Sequence, residues 1–313
     1  MKVYKTKQLS SDSLLHLKFD LFLTSSGYET RARHLVEKLG SKINSEARWC
    51  IQFENHSDLI SRKLNDEIFS YYKFNTQQLS GNEDAFIPSL LDDAIKKKRD
   101  NKLNILVDYS CMTRIWYASI LNYFRYTAID NFEVNIFFSY SSSEFVKPPQ
   151  ATIYNRYVGP IEGFYSVTIP DKPTALVIGL GYVQSRAYGL SEFFDVEPFL
   201  FIADSSSNKK YYDEVVENNM NLIKGLSESH IFNYPLNNLL FTETLLNSLT
   251  RDLLTDYRVV LAPCGPKPFT LLCLITGMRL SDIDVWRISA GENDEPVDKP
   301  PSGYINLLHL SLR

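Results

Sequence analysis

Short apolar runs rich in β-branched and aromatic residues alternate along this chain with longer amphipathic segments, the rhythm of an α/β protein whose sheet is largely parallel. The pattern predicts strands at Phe19–Thr24, Trp49–Phe53, Ile105–Asp108 and Val134–Tyr140, then at Ala175–Leu180, Phe199–Ala203, Val259–Ala262 and Asp284–Ser289. They fall into two sets of four.

The sets repeat one another. FDLFLTSSGYETRARHLVEKL opens the first and TALVIGLGYVQSRAYGLSEFF the second, each a strand, a turn holding Gly-Tyr, then Arg-containing sequence that runs into a helix. Gly27-Tyr28 therefore corresponds to Gly181-Tyr182. Arg114 follows Gly27 by 87 residues and Lys267 follows Gly181 by 86, while Val134 and Val285 follow the same glycines by 107 and 104. Such conserved spacing is the mark of a tandem fold. The expected architecture is α/β, with two tandem Rossmann-like units of mainly parallel sheet, packed about a pseudo-twofold axis so that their carboxyl-end loops face one shared cleft. The first unit spans 1–147, a connector 148–173, and the second unit 174–313. The boundary region Val146–Pro173 carries Pro148, Pro149, Gly159, Pro160, Gly163, Pro170 and Pro173 with little periodicity. Its aromatic stretch GPIEGFYSVTI is expected to add an edge strand or hairpin. The closing YINLLHLSLR reads as the last strand, with no effector domain after the second unit.

Composition narrows the function classes. The 313 residues carry 33 Lys+Arg against 37 Asp+Glu, a formal charge of −4. Proteins that coat duplex nucleic acid or an anionic membrane by bulk charge favour a basic face, so neither is an expected partner, although a locally basic pocket is compatible with this balance. The 44% hydrophobic and 22% charged residues suit a folded chain of one large or two ordinary domains. The N-terminal MKVYKTKQLSSDSLLHLKFD lacks the apolar core of a signal peptide, and no later stretch approaches the roughly 18 to 20 uninterrupted apolar residues of a membrane span. A cytoplasmic location is the expectation. Cys50, Cys111, Cys264 and Cys273 form no Cys-x-x-Cys pair and the histidines show no His-x-x-x-His spacing, so neither disulfide nor metal is expected.

In an open parallel sheet, ligands bind outside the carboxyl ends of the strands. Four turns therefore matter: Ser25–Arg33, Asp108–Arg114, Gly179–Arg186 and Pro263–Pro268. The run Asp108-Tyr109-Ser110-Cys111-Met112-Thr113-Arg114 follows the strand ILVD and precedes the helix IWYASILNYF. Asp108 ties down the turn, Ser110 and Thr113 offer hydroxyls, and Arg114 offers a planar fork of donors at a helix N-terminus, all suited to a phosphate. An N-capped helix accounts for the same residues, since Ser and Thr are preferred caps. The first loops add Tyr28, Arg31 and Arg33 on one side and Gly181, Tyr182, Gln184, Ser185 and Arg186 on the other. Tyrosines stack on bases while guanidinium groups meet phosphates. Alternatively the rings pack against the adjacent helix, and Arg31 and Arg33 pair with Glu29 and Glu37. The second-half equivalent of the motif, Leu261–Lys267, keeps only its basic residue, Lys267. Gly265, between two prolines, either lets the backbone approach a ligand or merely turns the chain.

The pattern Asp108-x-Ser110-x-x-x-Arg114 after a strand resembles the [Asp/Asn]-x-[Ser/Thr]-x-x-x-[Arg/Lys] signature of CRISPR-associated Rossmann-fold (CARF) domains. Its place after a strand and the second unit in the same chain extend the resemblance beyond the short motif. The resemblance implies binding of a cyclic oligonucleotide or dinucleotide, or another phosphate-bearing small ligand, as in CARF proteins and the related two-CARF SAVED sensors of anti-phage signalling. Arg114, Arg31, Arg186 and Lys267 are then assigned to phosphates, Ser110 and Thr113 to hydroxyl hydrogen bonds, and Tyr28 and Tyr182 to base stacking beside Gly181. Asp108 positions the loop or meets a ribose hydroxyl. The output would come from a protein effector partner, from a homo-oligomer, or from chemistry in the cleft. The alternatives are a phosphodiesterase or nucleoside-acting hydrolase using the same cleft, and a structural subunit of a defence complex. No cofactor is expected: Gly179-x-Gly181-x-x-Gln184, with Asp204 further on, begins like the dinucleotide fingerprint but lacks its third glycine.

Overall fold

The computed structural model describes residues 1–127, 131–147, 155–167, 171–204, 209–289 and 296–313. The chain divides into two units, Met1–Val146 with Glu295–Arg313, and Lys147–Asp294.

In the first unit β1 (Val3–Leu9) leads into β2 (Lys18–Ser26), α1 (His34–Leu39), β3 (Asn44–Phe53), α2 (Ile60–Tyr71), β4 (Asn75–Leu79), α3 (Phe86–Lys96), β5 (Lys102–Asp108), α4 (Arg114–Tyr126) and β6 (Glu133–Ser143). The neighbours β4-β3-β2-β5-β6 all run parallel. Side chains alternate across a strand. Phe22, Cys50 and Leu106 thus share one face of the sheet, sealed by Leu35, Val36 and Leu39 of α1 and Phe69 of α2. On the other face Trp49 packs on Phe86 of α3 and Phe53 on Trp116 of α4, with ring centroids 5.1 and 4.5 Å apart. The apolar spacing of α3, which buries Ile87, Leu90 and Leu91, is that of a helix with one covered face.

The second unit repeats this plan. β7 (Tyr157–Pro160) is followed by β8 (Thr174–Gly179), α5 (Arg186–Phe194), β9 (Phe199–Asp204), α6 (Lys209–Asn218), α7 (Met220–Lys224), β10 (Ile231–Pro235), α8 (Leu239–Leu253), β11 (Arg258–Pro263), α9 (Lys267–Arg279) and β12 (Ile283–Ser289). The neighbours β10-β9-β8-β11-β12 are parallel. Leu176, Ile178, Leu200 and Ile202 meet Ala187 and Leu190 of α5, Val215 of α6 and Leu222 of α7. On the opposite face Phe201 and Tyr234 pack on Phe269 of α9, each at 5.2 Å. Numbered within its own unit, each set of parallel strands has the order 3-2-1-4-5. The chain is therefore a mixed α/β protein of two Rossmann-like units sharing one topology.

All eight predicted strands are present, although β3 begins at Asn44 rather than at Trp49. The expected end of the second unit is corrected. β13 (Pro301–Leu312) lies antiparallel between β6 and β1, opposing His309 to Phe137 and to Lys7, so the last strand belongs to the first sheet. Its Ile305 and Leu307 complete the core beside α1, which the parallel strands alone leave uncovered on that edge. The connector region, expected to add an edge strand or hairpin, supplies β7, an edge strand antiparallel to β12 that overlaps the start of the stretch GPIEGFYSVTI. Pro148, Pro149 and Pro170 of that region lie outside the described residues.

Candidate functional site

The order 3-2-1-4-5 reverses direction between its first and fourth strands, and this switch point is where open α/β sheets take ligands. It falls between β2 and β5 in one unit and between β8 and β11 in the other. The loops leaving these ends are the four singled out from the sequence. In each unit the Gly-Tyr turn and the helix opening on a basic residue, Arg114 of α4 or Lys267 of α9, leave adjacent strands.

In the first unit the motif builds its own turn. Asp108 Oδ1 accepts from the Ser110 amide at 3.1 Å and from its hydroxyl at 2.5 Å, and Ser110 Oγ accepts from the Ser141 amide at 2.8 Å. Both Asp108 and Ser110 are 1% exposed. Thr113 caps α4, its hydroxyl accepting from the Trp116 amide at 3.4 Å, so the capping account holds for that residue. Arg114 begins the helix and is half-buried. Arg31 is buried: Nε donates to Glu29 Oε2 at 2.7 Å, and Nη1 donates to Tyr140 Oη at 2.8 Å and to the Ser141 carbonyl at 3.4 Å. Burial opposes its charge, but Glu29, Tyr140 and Cys111 outweigh that penalty and raise its pKa well above the ordinary value. The pairings of Arg31 with Glu29 and of Arg33 with Glu37, at 3.0 Å, are the ones the charge pattern had offered as an alternative. Arg31, Asp108 and Ser110 thus come together around Ser141. Tyr28, half-buried, stands edge-on to His56 at 5.5 Å.

The second unit reaches a similar layout by different contacts. A Cβ on Gly181 would run into the Cys264 carbonyl, and one on Gly265 into the Leu180 carbonyl. Both positions need glycine because the turns after β8 and β11 lie backbone against backbone. Gly179 has its own reason, since the Phe269 ring occupies the place of its side chain. Tyr182 packs partly buried against the core formed by α5, α6 and α7. Gln184 and Ser185 are exposed, and Ser185 holds a left-handed φ of 62° at the start of α5, ahead of half-buried Arg186. Lys267 is half-buried, and Pro266 before it offers no side-chain cap.

One matched pair escaped the sequence reading. Asn65 of α2 donates from Nδ2 to the Gly27 carbonyl at 2.8 Å and to the Glu29 carbonyl at 3.0 Å. Asn219 donates from Nδ2 to the Gly181 carbonyl at 2.9 Å. Each asparagine is buried and lies 38 residues after its glycine. The equal spacing was a usable signal, hidden because a single Asn per repeat carries no motif. No sequence signal pointed to Asp298 and Lys299, which fasten the first loop from afar. Asp298 Oδ1 accepts from the Thr30 amide at 2.6 Å, the Lys299 carbonyl accepts from the Arg31 amide at 3.3 Å, and Lys299 Nζ meets Glu29 Oε1 at 3.1 Å.

Among the described residues, no group of three or more His, Cys, Asp and Glu side chains is placed to hold a metal ion. No helix among them is long and apolar enough to cross a membrane. No family model, no curated protein and no solved structure matches the chain.

Proposed function

We propose that the protein binds a phosphate-bearing nucleotide, specifically a cyclic oligonucleotide or cyclic dinucleotide, through the loops at its switch points. The observation that supports this most is the repeated pairing, at adjacent strand ends, of an asparagine-pinned Gly-Tyr turn with a helix that opens on a basic residue. Helix N-termini present amide donors and the positive end of the dipole to an anion, and a guanidinium or ammonium there adds a full charge. Contact falls to the half-buried Tyr28, Arg114, Tyr182, Arg186 and Lys267. Arg31, Asp108 and Ser110, buried and bonded within the first loops, hold the shape of the site, and Thr113 caps its helix. The likeness of the Asp-x-Ser-x-x-x-Arg motif to CARF domains favours the same ligand class and a role as a sensor in anti-phage or CRISPR-linked signalling.

The test is a thermal-shift and calorimetric screen of cyclic di- and oligonucleotides at fixed salt. A ligand that binds only the folded state should raise the melting temperature and be recovered unchanged. Linear products accumulating in proportion to protein would point to a phosphodiesterase instead. Arg114→Ala should weaken binding roughly tenfold to hundredfold, from a charge-assisted contact of about 1.5–3 kcal/mol at about 1.4 kcal/mol per decade. Lys267→Ala should cost less, because a flexible point charge without the Asp and Ser companions fixes a phosphate less well. Unchanged affinity in Arg114→Ala would remove the reading.

A further inference from the structure

The first sheet ends on an incomplete edge. β3 is ten residues long, yet β4, the outermost strand, begins only at Asn75 and pairs with Trp49–Phe53. The stretch from Asn44 to Arg48 pairs with β2 on one side and has no strand partner on the other among the described residues. Even-numbered backbone groups point to that other side: the Glu54 amide donates to the Leu79 carbonyl at 3.3 Å, and Asn75 Nδ2 donates to the Arg48 carbonyl at 3.4 Å. The same parity turns the N–H and C=O of Asn44 and Glu46, both exposed residues, toward the open side. Among the described residues the second unit shows no such recess, since β10 pairs along Leu200–Asp204 of the six-residue β9.

The open edge borders a groove of about 530 Å³ lined also by Tyr72, Lys73, Asn75 and Lys97. Tyr72 and Lys73 follow α2 and Lys97 follows α3, the helices that cover opposite faces of the sheet and so place the two lysines in opposite walls. Lys73 turns through a left-handed φ of 59° and Phe74 enters the core, so the chain itself does not extend β4 back into the groove. The walls are cationic. Glu46 is paired with Lys18 at 2.7 Å, and Arg48 is engaged with Ser45 and the carbonyls of Gly40, Ile43 and Tyr72. Lys73 and Lys97 have no ion pair among the described residues, which leaves the groove with surplus positive charge.

We propose that this edge receives a short, extended, acidic segment of a protein partner, added as a strand in line with β4. Main-chain bonds to Asn44 and Glu46 would hold it. Because successive side chains of a strand point to opposite faces, alternate residues would meet the Lys73 wall and the Lys97 wall. The inference is independent of the nucleotide reading.

The probe is a fluorescent acetylated pentapeptide Val-Glu-Glu-Glu-Val, whose consecutive glutamates face both walls, compared by polarisation with its Val-Lys-Lys-Lys-Val counterpart against the full chain. The acidic peptide should bind at least tenfold more tightly and slow amide exchange over residues 44–48. Glu46→Pro removes the outward N–H, a change tolerated where an edge amide makes no ladder bond, and should abolish binding. Glu46→Gln keeps the amide but removes a carboxylate from the groove and releases Lys18, and should bind the acidic peptide at least as tightly as wild type does. The double change Lys73→Glu, Lys97→Glu should cost at least tenfold, and carries the test alone if Glu46→Pro proves unfolded by circular dichroism. Equal binding of the two peptides, undiminished binding by Glu46→Pro, or no binding at millimolar peptide would each overturn the proposal. So would self-association that Glu46→Pro removes, because the edge would then belong to a second copy of the chain.

Discussion

At the scale of single residues, this protein's loops are held by buried polar groups whose loss costs more than their presence contributes. Removing a donor inside the fold strands its acceptor without water, at about 1–3 kcal/mol. Asn65→Ala and Asn219→Ala should each lower stability by that order, with faster amide exchange in residues 27–33 for the first and 181–186 for the second. The buried Arg31–Glu29 pair sets a steeper case. Glu29→Gln leaves the guanidinium, 4% exposed, without its counter-charge, and such broken pairs cost about 3–5 kcal/mol. Glu37→Gln, at a carboxylate 44% exposed beside Arg33, should cost no more than about 1 kcal/mol. Urea unfolding of the two variants side by side checks the contrast, and equal losses would deny Arg31 its structural role. These residues also show what was legible. The turn Asp108–Arg114 and its place after a strand follow from local pattern, as does Arg31 beside Glu29. Which side chains face inward does not, because Asp298 and Lys299 lie 268 residues from the loop they fasten, and no local spacing carries that contact.

At the scale of elements, the strands most legible from pattern are those buried on both faces, such as β6, β8 and β11, which read as near-continuous apolar runs. Three that were missed have mixed or polar sequences: VYKTKQL of β1 and NTQQL of β4 at the margins of the first sheet, and IFNYP of β10 at the margin of the second. β13 was legible as a strand but not as a member of the first sheet, since an apolar run does not name its neighbours. Its position has a consequence for pH. His309 is half-buried, stacked on Phe137 at 4.4 Å, with Nε2 2.8 Å from Asn135 Oδ1. Burial first, then Lys7, Lys102 and Lys5, hold its pKa below the usual 6.5, with Glu133 opposing. The unfolded chain therefore binds more protons between the folded value and 6.5, so this stabilisation is full above pH 6.5 and is lost as pH falls through that window. His34, lowered by burial and Lys38, acts in the same sense. Urea midpoints should drop from pH 7.5 to pH 5.5, and less in His309→Gln than in wild type. An identical drop in the two proteins would show that His309 is uncoupled from folding.

At the scale of the whole molecule, the duplication is real in topology but the two halves of the sequence are not the two units. The strand that follows the first set of parallel strands, β7, pairs in the second sheet, and the strand that follows the second set, β13, pairs in the first. Each parallel set thus gains an antiparallel neighbour from the segment that follows the other. The first unit is consequently discontinuous, and its core depends on the last residues of the chain. Leu307, fully buried opposite Ser139 and within the cluster that includes Phe22, Leu106 and Phe137, tests this dependence. Truncating a buried leucine costs about 2–5 kcal/mol, set by how far the cavity collapses. Leu307→Ala should therefore speed amide exchange in β1, β5 and β6, more than 160 residues earlier in sequence, while β8, β11 and β12 nearer to it along the chain keep wild-type protection. Hydrogen exchange with mass spectrometry resolves these segments in one experiment. Exchange rising in β11 and β12 with β6 unchanged would place the last strand back in the second unit and undo the reciprocal pairing.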